Sequence, residues 1–128
     1  MAKILVIEDQ KLLCQLYGSV LSKARHDVVL TYTGEEAVAE ALRDRPDLVI
    51  MDLKLPGISG AEVTCQLREF GVLPATPLII ATALGEEAQP IARSLNAAAL
   101  LPKPFHIDSM IAAVQQALDG SGQKAPAF

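Results

Sequence analysis

Five polar residues stand where apolar runs of this chain end. Glu8 and Asp9 follow the run Lys3–Ile7, and Asp52 follows Asp47–Met51. Thr82 follows Pro77–Ala81, and Lys103 lies just past Ala98–Leu101. Taken singly, each has a plain reading. Asp9 suits a helix cap, Asp52 a turn, Thr82 a cap or turn, and Lys103 a solvated surface. Together they form a donor set with specific chemistry. Three carboxylates in one place repel and at neutral pH call for a cation among them. Oxygen ligands with open positions suit a hard divalent ion. Mg2+ is favoured because it keeps its waters and is held by one or two carboxylates plus a phosphate. The ammonium and hydroxyl supply a positive charge and a donor aimed at a developing oxyanion. An aspartate beside such an ion is one route to an aspartyl phosphate.

This chemistry requires the runs to be strands of one sheet. An unbroken apolar run is the pattern of a strand covered on both faces. A further run, Asp27–Thr31, ends in Thr31-Tyr32 without a charge. Between the runs the period is helical. Leu12, Leu13, Leu16, Tyr17, Val20, Leu21 and Ala24 form the stripe of the first helix. Thr33-Gly34-Glu35-Glu36 and Ser59-Gly60-Ala61-Glu62 are capping boxes that open the second and third. Pro46 stops the second helix before the third strand. In the last helix Ile107, Ile111, Val114 and Leu118 form one stripe, with Met110, Ala113 and Ala117 beside it. Strands alternating with helices predict an α/β fold with right-handed crossovers and a parallel sheet. For a chain this short the expectation is a doubly wound, flavodoxin-like sheet of five strands in the order 2-1-3-4-5, with five helices. Ligands bind such sheets at the carboxyl ends of the strands, here between strands 1 and 3.

The 128 residues fit one domain, expected over residues 1–119, with 120–128 as a tail or the start of a linker. A net charge of −4 argues against sequence-independent nucleic-acid binding. The N-terminus MAKILVIEDQ is neither a signal peptide nor a membrane span, so a cytoplasmic protein without membrane contact is expected. Cys14 and Cys65 have no metal or CxxC spacing and read as buried thiols in a reducing compartment.

The layout resembles the receiver domain of bacterial two-component response regulators, in particular a single, chemotaxis-regulator-like receiver. The residues that carry the resemblance are Glu8-Asp9, the stretch Met51–Gly57 (MDLKLPG) with Gly60, Thr82-Ala83 and Lys103-Pro104-Phe105, in a match over about residues 3–119. The resemblance implies a phosphorelay function, a regulatory domain and not an enzyme in its own right. Asp52 would accept a phosphoryl group from a sensor histidine kinase or a histidine phosphotransfer protein. Asp9, Asp52 and the Lys54 backbone carbonyl would bind Mg2+, with Glu8 helping through water. Thr82 and Lys103 would contact the phosphoryl oxygens. The output surface would be helix 4, strand 5 and helix 5. It would serve a downstream target protein, an effector domain or a homodimer. The family's lysine turns back into the site, which implies a cis Lys103–Pro104 bond.

Several positions depart from the family pattern. Leu100 stands where an aromatic switch residue is common. Pro90 falls inside the expected fourth helix, so that helix either begins near Gln89 or is broken. Arg25 stands where glycine commonly follows helix 1. Lys54 and Leu84 flank the expected path of an attacking water. Neither is a carboxylate or amide, which points to slow self-dephosphorylation. His26 and His106 are neither metal ligands nor phosphodonors, and Glu86-Glu87 is a solvated pair. Three rival readings have discriminating residues. A phosphatase of the haloacid-dehalogenase type needs an acid where Lys54 stands. A flavin module needs a Ser/Thr/Gly-rich loop where Glu8-Asp9 stand. A phosphorylation-independent pseudo-receiver is the alternative that shares all five residues.

Overall fold

The apolar runs become the strands of one sheet. The computed structural model describes residues 2–120. Its elements alternate in chain order: β1 (Lys3–Ile7), α1 (Lys11–Lys23), β2 (Asp27–Thr31), α2 (Gly34–Arg43), β3 (Leu48–Met51), α3 (Gly60–Glu69), β4 (Leu78–Thr82), α4 (Ala88–Ser94), β5 (Ala99–Pro102) and α5 (Ile107–Gly120). The five strands are parallel in the order β2-β1-β3-β4-β5. Thr82 therefore closes β4 and Lys103 follows β5 directly. Gly120, placed with the tail from sequence, is the last residue of α5, and the remainder of that tail lies outside the described residues.

Side chains alternate across the pleat. Leu5, Ile7, Val49, Met51, Leu78 and Ile80 face α2, α3 and α4. Ile4, Val6, Leu48, Ile50, Ile79 and Ala81 face α1 and α5. The register brings the strand ends level, since Ile7 pairs with both Thr31 and Met51, and Met51 with Ile80.

Both capping boxes form. Thr33 Oγ1 accepts from Glu36 N at 3.1 Å and Ser59 Oγ from Glu62 N at 3.2 Å. Pro90 sits in the first turn of a short α4 that begins at Ala88, where its missing N–H has no helical partner to lose. Arg25 has a φ of +70°, the left-handed conformation that favours glycine.

Three expectations need correction. In α1 the buried face is Cys14, Tyr17, Gly18 and Leu21, while Leu12 is 83% and Leu16 45% exposed. In α5 the buried residues are Met110, Val114 and Ala117, while Ile107 and Ile111 are exposed. The two helices lie on the same sheet face; Leu16 and Ile107 line a cleft between them, and Leu12 and Ile111 are exposed outside the core. Cys65 is exposed on α3; Cys14 alone is the buried thiol.

Candidate functional site

The level strand ends place Glu8, Asp52, Thr82 and Lys103 along one edge of the sheet. The ladder continues one residue past the strands: Glu8 N donates to Thr31 O, Asp52 N to Ile7 O and Lys103 N to Thr82 O, at 3.1, 3.1 and 2.8 Å. These bonds fix the backbone from which the functional side chains project. Gly60 adds a second constraint. A Cβ there would meet Asp52 O and Leu53 Cα at 2.9 Å, so only glycine lets the start of α3 lie against the end of β3. Gly57, at φ +76°, makes the turn between them.

The centre of the site is an ion triad. Lys103 Nζ donates to Glu8 Oε1 and, at 2.8 Å, to Asp52 Oδ2. The remaining carboxylate oxygens are also partnered. Glu8 Oε2 accepts from Gln10 N at 3.1 Å, and Asp52 Oδ1 from Lys54 N at 3.2 Å. Glu8 and Asp52 are buried, at 1% and 8% exposure. The Lys103 side chain is 12% exposed. Burial holds the Glu8 carboxyl above its ordinary pKa, and Lys103 and the Gln10 amide recover only part of that penalty. Burial would lower Lys103, but its bonds to Asp52 and Glu8 outweigh burial and the ammonium titrates above its usual range. Lys103 thus offsets part of the carboxylate crowding read from sequence.

Asp9 is exposed, and the plain reading of it as a cap does not hold, because Gln10 occupies the N-cap of α1 without a side-chain bond. Carboxylate oxygens of Glu8, Asp9 and Asp52 all lie within 4.8 Å of one another. This oxygen-only set, with one acid open to solvent, fits a hard cation. Thr82 is buried at the end of β4, and its Oγ1 accepts from Leu84 N at 3.3 Å. Leu84 and Leu100 are half-buried and pack against the same core cluster. Lys54 is exposed. The Lys103–Pro104 bond is cis, as expected, and Leu73–Pro74 is cis as well.

Two contributors were not legible in the sequence. Gln10 acts through its backbone amide, which carries no side-chain signal. Tyr17 of α1 stacks on Phe105, with ring centroids 5.7 Å apart and planes at 23°. The helical period of Tyr17 places it in the core and says nothing of which ring it meets.

Comparison with known proteins bears on the fold that carries these residues. The family model for the response regulator receiver domain matches residues 4–115. Protein PilH of Pseudomonas aeruginosa is 30% identical over 121 residues, covering 94% of this chain and all of that protein. Response regulator ArlR of Staphylococcus saprophyticus is 33% identical over 125 residues, 97% of this chain but 56% of that protein. The chain thus spans about half the length of ArlR. Among solved structures, chemotaxis response regulator CheY4 of Vibrio cholerae superposes with a TM-score of 0.86 at 28% identity, covering 92% of this chain and 99% of that one.

Proposed function

This chain belongs to the response regulator receiver family of two-component signalling, and on that premise we propose that Asp52 accepts a phosphoryl group, with Mg2+ bound beside it, from a phosphohistidine on a sensor histidine kinase or a histidine phosphotransfer protein. The observation that carries the reading is the triad of Lys103 with Glu8 and Asp52, beside the exposed carboxylate of Asp9.

In the transfer the histidine N–P bond breaks and an Asp52 O–P bond forms. The leaving imidazole keeps the electron pair. Asp9, Asp52 and the Lys54 carbonyl would hold the ion, and Glu8 would act on it through water. When bound, Mg2+ neutralises charge on the transferring group. The protein's own part is positioning and electrostatics. The bond to Lys54 N orients the Asp52 carboxylate. Lys103 supplies the fixed positive charge for the phosphoryl oxygens, and Thr82 supplies a hydroxyl.

The state is read through Thr82. Its oxygen accepts from the Leu84 amide, and its own O–H would donate to a phosphoryl oxygen. Leu84 and Leu100 then shift within the cluster they share, and this shift is felt on α4, β5 and α5. Leu100 takes the place of the family's aromatic as the switch residue. The signal passes from that surface to a separate target, an effector domain or a second copy of the chain, in the cytoplasm. Among the described residues no helix is long and apolar enough to cross a membrane. Lys54 and Leu84 make self-dephosphorylation slow.

The test is incubation with Mg2+ and acetyl phosphate. Wild type should gain one acid-labile phosphate and Asp52→Asn none. Equal labelling of the two would overturn the assignment.

A further inference from the structure

We infer that the Tyr17–Phe105 stack is the positioning element for Lys103, holding its ammonium on Glu8 and Asp52. The inference rests on the phosphoacceptor reading for what the ammonium is used for, but its geometry and its test are independent of phosphorylation.

The argument begins with the turn that carries Lys103. Between β5 and α5 lie Lys103, Pro104, Phe105 and His106. Pro104 and His106 are exposed. Phe105 is the turn's apolar anchor, half-buried against the cluster that α1 and α5 share. A lysine side chain has many rotamers, and holding it on two buried carboxylates needs a backbone that does not drift. The bond from Lys103 N to Thr82 O fixes one end of the turn. Phe105 fixes the other, and the ring it meets is Tyr17.

Tyr17 is 4% exposed, and its distance and angle to Phe105 lie in the range of favourable offset stacking. Its location matters more. α1 begins directly after Glu8-Asp9-Gln10, and Gln10 N binds Glu8 while Gln10 O accepts from Cys14 N. One end of the stack is therefore tied to the loop that carries Glu8, and the other to the loop that carries Lys103. The stack couples the two loops whose side chains form the ion pair. On the solvent side the turn is not enclosed. A cleft of about 370 Å3 lined by Leu13, Leu16, Tyr17, Lys103 and Phe105 opens there. With that wall missing, the stack holds Phe105 in place.

Lys103 reports its own position through the reactivity of its amine. Wild type, Tyr17→Phe, Tyr17→Leu and Phe105→Leu are treated with trace acetic anhydride, and each lysine's modification is read by peptide mass spectrometry. Lys3 is the internal reference, because its side chain is also mostly buried and ion-paired, 2.8 Å from Asp44, and lies at the opposite end of the sheet. Tyr17→Phe keeps the stack and should match wild type. Tyr17→Leu and Phe105→Leu keep apolar bulk but lose the stack. They should raise Lys103 modification relative to Lys3 by roughly three- to tenfold, the range that the loss of an aromatic pair's specific attraction allows. Tyr17→Met and Phe105→Met repeat the comparison should a leucine variant fail to fold. An unchanged Lys103/Lys3 ratio in folded variants, or an equal rise at both lysines, would overturn the inference. Failure of wild type to take phosphate from acetyl phosphate would overturn the phosphoacceptor reading instead, and would leave the lysine ratios as they stand.

Discussion

Lys103 Nζ lies 2.8 Å from Asp52 Oδ2 although β4 runs between the strands that deliver them. The same ammonium also reaches Glu8, on the strand beyond β3. A single cation thus spans four adjacent strand ends and pairs with both buried acids. Removing it leaves two uncompensated carboxylates in a low-dielectric rim.

Lys103→Met, studied in EDTA, should lower stability near neutral pH by about 3–5 kcal/mol, as expected when one partner of a buried ion pair is lost. The sign of its pH dependence follows from Glu8. Burial already raises that carboxyl above 4.5, and loss of the ammonium raises it further. A group whose folded pKa exceeds its unfolded one stabilises fully below the unfolded value, and this contribution is lost as pH rises through the folded value. The variant should therefore melt higher at about pH 5 than at about pH 7.5, by a wider margin than wild type. Parallel melting profiles for the two proteins would refute this.

Asp9 is exposed, and no hydrogen bond or ion pair of its side chain is seen among the described residues. Asp9→Ala should change metal-free stability by no more than about 0.5 kcal/mol. Millimolar Mg2+ should raise the wild-type melting temperature by mass action and leave the variant's nearly unchanged. The same Mg2+-dependent rise in both proteins would remove Asp9 from the ligand set.

Arg25 is exposed with a φ of +70°. Glycine there relieves the left-handed strain, at the expense of a more flexible unfolded chain. Arg25→Gly should raise stability by about 0.5–1 kcal/mol without altering phosphorylation. Urea unfolding checks this, and a destabilised variant would show that the Arg25 side chain contributes more than its backbone costs.

Lys54 and Leu84 should set the lifetime of the phosphorylated state. Lys54→Asn and Leu84→Glu each introduce a group able to orient water, and both should lose phosphate faster than wild type, with the double variant fastest. Loss at the wild-type rate in all three would show that neither position shields the phosphoryl group.

The strands were legible because parallel strands buried on both faces must be apolar without interruption, and a polar residue just past each run marks the rim. Asp52, Thr82 and Lys103 were found this way. The helix faces were only half legible. Leu12 and Leu16 share the 3.6-residue period of Tyr17 and Leu21, and period alone does not say which part of a broad apolar stripe meets the sheet. In α5 the stripe of Ile107, Ile111, Val114 and Leu118 has the same ambiguity, and the structure buries Met110, Val114 and Ala117 while leaving Ile107 and Ile111 exposed.

By itself the sequence determined which residues end the strands, and with them a site made of acids, one hydroxyl and one lysine, because burial and periodicity are local constraints on residue type. The tertiary structure decided the pairing. It gave Lys103 to both Glu8 and Asp52, assigned Asp9 to solvent and laid Tyr17 on Phe105. These choices depend on the twist and register of strands far apart in the chain and on how α1 and α5 settle on their shared face. No spacing within one segment encodes them.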